Sequence, residues 1–97
     1  MPVFVRYQTK PDRAEENQAL IEKVFEDLEE RQPRGFSYTA FRLEDGVSFV
    51  HTVIEHDLDD ADSLGDLPAF QAFTKDIADR CEVQPEASGA TVVGQYH

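Results

Sequence analysis

Residues 35–55 read GFSYTAFRLEDGVSFVHTVIE and predict a β-hairpin around Asp45-Gly46. Asp-Gly is a preferred pair for a two-residue hairpin loop, and the flanking runs are rich in aromatic and β-branched residues. Pairing across this turn gives one face the pairs Arg42 with Phe49, Ala40 with His51, Tyr38 with Val53 and Phe36 with Glu55. The other face carries Ser37, Thr39, Phe41, Leu43, Ser48, Val50, Thr52 and Ile54. Apolar side chains on both faces mean that each face needs a cover.

The two faces of the hairpin differ in their chemistry. The face that begins at Ser37 is the one on which we expect helices to pack. The other face mixes aromatic rings with His51 and Arg42, which suits a ligand pocket or the surface of a partner subunit. The hairpin therefore predicts a site on the sheet face that the helices leave open, without naming a substrate.

The segments around the hairpin complete a β-α-β-β-α-β order. VFVRYQT at residues 3–9 predicts the first strand, and apolar residues at three- and four-residue spacing predict a helix that begins near Pro11 or Asp12 and stops before Pro33. A second helix is predicted over residues 68–82, and ATVVGQY at 90–96 predicts the last strand. This is the ferredoxin-like order, an α+β fold with a four-stranded antiparallel sheet, strands one and three central, and both helices on one face.

Composition limits the classes of protein to consider. The 97 residues predict a single domain over 1–97, and 20 acidic against 9 basic residues give a net charge of −11, which repels nucleic acid. No apolar run is long enough for a membrane span, and the N-terminal segment lacks the pattern of a signal peptide, so we expect a cytoplasmic protein. The single cysteine, Cys81, falls on the apolar line of the second helix and is expected to act as a small hydrophobic residue.

The uncovered sheet face also predicts an assembly. Two helices can cover only one side of a four-stranded sheet, and a chain of this size buries a modest share of its surface. A second copy of the chain is the simplest cover, so we expect a homodimer.

Four segments carry a family resemblance: Lys10-Pro11-Asp12 at the first helix, 34–38 (RGFSY) at the second strand, 68–73 (PAFQAF) at the second helix, and a short last strand. With them the chain resembles the dimeric α/β-barrel superfamily, and within it the antibiotic-biosynthesis-monooxygenase-like proteins. The resemblance implies dimers whose sheets close into an eight-stranded barrel. It also implies activities such as cofactor-independent oxidation of aromatic polyketides with dioxygen, or haem degradation.

The resemblance also indicates which of these activities to set aside. Haem-degrading members use a pocket tryptophan and a haem-ligating histidine on the second helix, whereas this chain has no Trp and residues 70–82 contain no His. Quinone-forming members use Asn, Trp, Tyr and Arg, of which Tyr and Arg have counterparts here. We therefore expect no cofactor and a small aromatic molecule as the ligand of an oxygenase or a related enzyme.

His51 is the first candidate for catalysis because it is the one histidine inside a predicted strand. A neutral imidazole there could take the proton of a phenolic substrate and create an anion able to reduce dioxygen. Tyr38 and Arg42 could orient a phenol or stabilise an enolate, although Arg42 could also pair with Glu44. The predicted substrate-binding residues are Phe36, Phe49, Val53 and Arg6. Arg6 belongs to this set only if the first strand turns Phe4, Arg6 and Gln8 inward, and the opposite phase brings in Tyr7.

Other interpretations of the same residues stay open. His51 could be a structural histidine at a dimer interface, and the partner could fill the whole face, leaving a non-catalytic binding or dimerisation module. The acidic run Asp57, Asp59, Asp60, Asp62 and Asp66 suggests calcium, but Leu64 stands at the fifth position of the loop, and Gln71 stands at the twelfth, where a bidentate Glu is required. We therefore expect no metal site.

Overall fold

The sheet of this protein has four antiparallel strands in the order β2-β3-β1-β4. A computed structural model describes residues 2–56 and 62–96. The elements are β1 (Val3–Thr9), α1 (Ala14–Arg31), β2 (Phe36–Arg42), β3 (Ser48–Glu55), α2 (Pro68–Lys75), α3 (Ile77–Arg80) and β4 (Cys81–Gly89), with short 3₁₀ turns at Pro11–Arg13 and Leu64–Asp66. Strands β1 and β3 are central and the helices lie on one face, so the ferredoxin-like prediction is confirmed. In this part of the chain no helix is long and apolar enough to cross a membrane.

The hairpin has the predicted register, with Arg42 opposite Phe49 and Ala40 opposite His51. Its loop is longer than the two residues predicted, because the turn hydrogen bond runs from the Gly46 N–H to the Leu43 carbonyl. The Asp45 carboxylate accepts the backbone N–H groups of Val47 and Ser48, while the Leu43 N–H donates to the Ser48 carbonyl and closes the ladder. Gly46 has a φ of 78°, in the left-handed region that glycine adopts at no steric cost.

The helices pack on the opposite face of the hairpin from the one predicted. Phe25 of α1 stacks on Tyr38 at 5.2 Å between ring centroids, and Phe73 of α2 lies over His51 at 5.4 Å. Phe41 and Ile54, on the face assigned to the helices, are exposed. The physical reason is that the helices present aromatic rings and polar partners that match Tyr38 and His51, whereas the other face is half serine and threonine.

The same packing decides the phase of β1. Tyr7 points to the helices, is 1% exposed and stacks on Phe49 at 5.5 Å. Arg6 therefore points to the uncovered face, where it lies beside a shallow concavity with Phe4 and Glu86. The prediction that Arg6 shares a pocket with His51 is wrong, and Tyr7 takes that place.

The C-terminal part of the chain differs from the prediction. The second helix breaks at Asp76 and ends at Arg80, and Cys81 begins β4, which pairs with β1. Residues 90–96, predicted as the last strand, are neither helix nor strand. Pro85 reads as a breaker in the sequence, but β4 lies at the edge of the sheet, where proline and polar residues are tolerated. Cys81 is buried as predicted, in a strand rather than on the helix.

Candidate functional site

A cavity of about 190 Å³ lies between the sheet and the helices, partly open to solvent. Val5 and Val53 line it from the sheet, and Phe70, Phe73 and Ile77 line it from the helices. Tyr7, Tyr38 and His51 also line it, with no polar atom exposed to the cavity. An apolar cavity with a few polar groups is the usual form of a small-molecule site, although this one is smaller than the roughly 300 Å³ at which drug-sized pockets begin.

His51 is held between two tyrosines beside the cavity. The Tyr7 hydroxyl lies 2.7 Å from His51 Nε2, and the Tyr38 hydroxyl lies 2.5 Å from Nδ1. His51 is 4% exposed. Both ring nitrogens of His51 are therefore engaged inside the protein.

The hydrogen bonds continue from Tyr7 away from the cavity. Asn17 of α1 donates from Nδ2 to the Tyr7 hydroxyl oxygen at 2.8 Å. Arg80 donates from Nε to Asn17 Oδ1 at 3.1 Å and from Nη2 to the Phe73 carbonyl at 2.6 Å. In the described part of the chain, every buried side-chain nitrogen and oxygen has a partner. We call the series Arg80, Asn17, Tyr7, His51 and Tyr38 the buried relay.

The histidine and the two tyrosines of the buried relay are uncharged at neutral pH. Burial lowers the pKa of His51 to about 4, so its imidazole is neutral. Burial also raises the pKa of Tyr7 and that of Tyr38, so both phenols keep their protons. His51 and the two tyrosines therefore hydrogen-bond to one another as neutral groups.

The structure brings together only part of the predicted site. His51, Tyr38 and Val53 line the cavity, whereas Phe49 lies beneath Tyr7 in the core and Phe36 packs against the core. All five of these residues lie on the sheet face that the helices cover, not on the open face where the site was predicted.

Arg42 does not line the cavity. It donates to Glu15 at 2.9 Å, to Gln18 at 2.7 Å and to the Gly46 carbonyl at 2.9 Å, and its guanidinium covers the Phe49 ring at 5.7 Å. Arg42 therefore ties the hairpin to α1, and its predicted alternative partner Glu44 is not the one it uses.

Sequence reasoning missed Asn17 and Arg80. A signal was present for Asn17, which stands on the apolar line of α1 between Ala14 and Ile21 and is fully buried. A polar residue in such a place needs a buried partner. Arg80 gave no such signal. Its buried position depends on the break of the second helix at Asp76, which the sequence pattern did not predict.

Residues 2–56 and 62–96 hold no group of three residues able to bind a metal ion. Asp57, Asp59 and Asp60 of the acidic run lie outside the described residues. The Asp62 carboxylate accepts the backbone N–H of Arg34 at 2.8 Å and so holds the loop to the start of the hairpin. His56 is exposed and bonds to Ser37.

Comparison with solved structures identifies the fold. An antibiotic biosynthesis monooxygenase has 17% sequence identity to this chain and a TM-score of 0.74, with 96% of this chain and 98% of that chain covered. Rv0793 from Mycobacterium tuberculosis has 16% identity and a TM-score of 0.74, with coverage of 99% and 97%. A single-residue variant of SnoaB, a cofactor-independent oxygenase from Streptomyces nogalater, has 14% identity and a TM-score of 0.63, with coverage of 97% and 96%.

The chain has the antibiotic biosynthesis monooxygenase fold. These matches span nearly the whole chain, so the resemblance stated from the sequence is confirmed at the level of the fold. No family model matches the sequence. No curated protein matches it either.

Proposed function

We propose that the protein is a cofactor-independent oxygenase that acts on a small aromatic molecule in the cavity beside Tyr38. The observation that carries the proposal is an apolar cavity lined by the aromatic residues Phe70, Phe73 and Tyr38, with the Tyr38 hydroxyl hydrogen-bonded to His51 behind it. The fold, which is that of SnoaB, a cofactor-independent oxygenase, supports the same class of chemistry.

The proposed reaction draws all its electrons from the substrate. A phenol loses its hydroxyl proton, and the resulting anion reduces dioxygen at the ring carbon opposite the oxygen. One oxygen atom forms a new C–O bond there, the C–H bond breaks, and the other oxygen atom leaves as water, so one phenol and one dioxygen give one quinone and one water. With about 190 Å³ available, the substrate is a single ring or a larger molecule that extends through the open side.

In this proposal His51 acts through Tyr38 rather than on the substrate. Both of its nitrogens are engaged by tyrosines, so neither is free to accept a phenolic proton directly from the substrate. Tyr38 donates to the substrate oxygen and stabilises the negative charge that develops on it. The substrate proton leaves to solvent through the open side of the cavity.

Oxygen uptake with a panel of phenols, naphthols and anthrones tests this function. Tyr38→Phe is expected to lower the rate about 10- to 100-fold, the range for losing a hydrogen bond to a charged group. Tyr96→Phe is the matched control, because Tyr96 is 98% exposed. Labelled dioxygen should place one oxygen atom in the product. If no compound in the panel is consumed or bound, or if both variants behave alike, the proposed function is wrong.

We further propose that the uncovered sheet face pairs with a second copy of the chain. Phe4, Phe41, Ile54 and Val83 are exposed large apolar side chains on the strands, at 45%, 49%, 39% and 54%. An apolar face of this kind is typical of an interface between subunits.

The dimer is tested with Phe41→Asp, a substitution that places a charge on the uncovered face. In sedimentation the parent should be a dimer at micromolar concentration, and the variant should be a monomer with an unchanged circular dichroism spectrum. Lys75→Asp on the exposed side of α2 is a charge control that should leave the dimer intact. A monomeric parent would contradict the proposal.

A non-catalytic binding protein is the second candidate. The observation that favours it is that the described residues lining the cavity offer no free base, since both His51 nitrogens are used. Tight binding of a panel compound without oxygen uptake would support the non-catalytic binding function over the oxygenase.

A further inference from the structure

The uncovered sheet face carries two charged side chains on neighbouring strands. Among the strand positions whose pairing places them on this face, the charged residues are Arg6 of β1 and Glu86 of β4, which are directly opposite each other in the register. In the described chain neither of them forms an ion pair. Each residue therefore leaves its charge to solvent or to a molecule that covers the face.

The two charged residues belong to the shallow concavity of the uncovered face. This concavity has a volume of about 450 Å³ and is lined by Arg6, Glu86, Phe4, Val50, Ala87 and Ser88. Its lining is thus apolar or small, except for one cation and one anion. Burying a charge without a partner is costly. A molecule that covers the face therefore has to offer an acidic group to Arg6 and a basic group to Glu86.

A second copy of the chain meets both requirements. In a two-fold interface the same patch lies on both subunits, so a contact between two different residues occurs twice. One contact between Arg6 and Glu86 of the partner subunit therefore creates a second by symmetry, and the four charges cancel. A small anion would neutralise Arg6 alone and leave Glu86 covered without a partner. Two chains that each carry a charge of −11 repel at a distance, and opposite charges inside the interface serve to align them.

We propose that Arg6 of each chain pairs with Glu86 of the partner subunit across the uncovered face, and that these two symmetric ion pairs fix the position of one sheet on the other. The inference rests on the proposed pairing of the uncovered faces and deepens it by naming the residues that determine how the two chains are aligned. It involves neither the cavity nor the oxygenase reaction.

Charge reversal at either position should weaken the dimer. Arg6→Glu brings two carboxylates together twice in each dimer, and Glu86→Arg does the same with two guanidinium groups. We expect each variant to raise the dissociation constant of the dimer at least about 100-fold, the scale for leaving a covered charge without its partner. Sedimentation over a dilution series measures this constant. Both side chains are exposed in the single chain, so the circular dichroism spectra should match that of the parent.

Mixing the two variants distinguishes pairing between chains from pairing within one chain. In a heterodimer of Arg6→Glu with Glu86→Arg, each position 6 meets an opposite charge at position 86 of the partner, so both ion pairs are restored. Within each variant chain, by contrast, the two positions carry the same charge. We expect heterodimers with a dissociation constant within about 10-fold of that of the parent. Native mass spectrometry counts heterodimers and homodimers in the mixture.

Matched charge changes on the helices serve as controls. Lys75→Glu and Glu29→Arg are exposed, and we expect each variant to dimerise like the parent and their mixture to exchange chains without preference. If the reversal variants do not fold, Arg6→Gln and Glu86→Gln give the same comparison without like charges. Their heterodimer keeps one ion pair and pairs two amides, whereas each of their homodimers leaves two charges without partners.

The outcomes separate this inference from the proposals on which it rests. Heterodimers no tighter than the homodimers of the variants, or single variants that dimerise like the parent, would overturn the pairing of Arg6 with Glu86 while the dimer stands. A monomeric parent would overturn the dimer as well. Failure of the proposed oxygenase appears separately, as absent oxygen uptake in a parent that forms the expected heterodimers when its variants are mixed.

Discussion

Replacing Phe49 by alanine is expected to lower the free energy of unfolding by about 3–5 kcal/mol, the usual cost of removing a large buried ring. Phe49 is 1% exposed, stacks on Tyr7 at 5.5 Å between ring centroids and has the Arg42 guanidinium over its ring at 5.7 Å. Removing the ring leaves a hole under the residue that holds His51. Since domains are stable by only about 5–15 kcal/mol, the loss is large, and urea unfolding followed by circular dichroism measures it.

Phe41→Ala is the matched control for Phe49→Ala. Phe41 lies in the same hairpin but on the uncovered face, where it is 49% exposed. At a concentration low enough for monomers, its replacement should change the free energy of unfolding by no more than about 0.5 kcal/mol. Equal losses for the two variants would contradict the arrangement in which the helices cover the Phe49 face.

Stability is expected to fall as the pH drops from 6.5 to about 4, through the low pKa of His51. The pKa in the unfolded chain is near 6.5 and that in the folded protein is about 4. Above pH 6.5 neither state binds the proton. Below it the unfolded chain binds a proton that the folded protein does not, so unfolding becomes easier. At about 1.4 kcal/mol for each pH unit, the titration of His51 lowers the free energy of unfolding by about 3 kcal/mol between pH 6.5 and 4.

His51→Gln isolates this contribution. The carboxylates with lowered pKa values, such as Asp45 and Asp27, lose their stabilising effect at the acid end in parent and variant alike, so the difference between the two unfolding curves reports His51. The stability advantage of the parent over His51→Gln should shrink by about 3 kcal/mol between pH 6.5 and 4. His56→Gln, at an exposed histidine, should keep the slope of the parent. Parallel curves for the parent and His51→Gln would show that His51 is not held neutral by burial.

The hairpin and its register could be predicted from local sequence because Asp45-Gly46 fixes which residues face each other. Which face the helices cover could not be predicted in the same way. The two-residue period of a strand separates the faces but does not say which one meets the helices when both are apolar. That choice depends on Phe25, Phe73 and Asn17, whose ring stacking and hydrogen bonding match one face only.

The last strand and the roles of Asn17 and Arg80 could not be predicted from the sequence for a related reason. Pro85 is a breaker in most strands, and its tolerance here follows from the edge position of β4, a property of the assembled sheet. Asn17 and Arg80 are 63 residues apart in the chain, so nothing in the local pattern connects them. The candidate cavity was therefore predicted only through the hairpin residues that face it, namely Tyr38, His51 and Val53.

The helix-covered position of the cavity has a consequence for stoichiometry. The cavity opens between the sheet and the helices, whereas the surface proposed for pairing lies on the other side of the same sheet. A partner would neither block the opening nor supply part of its wall. Titration calorimetry should therefore find one ligand per chain, with the same affinity whether the chains are paired or separated by Phe41→Asp.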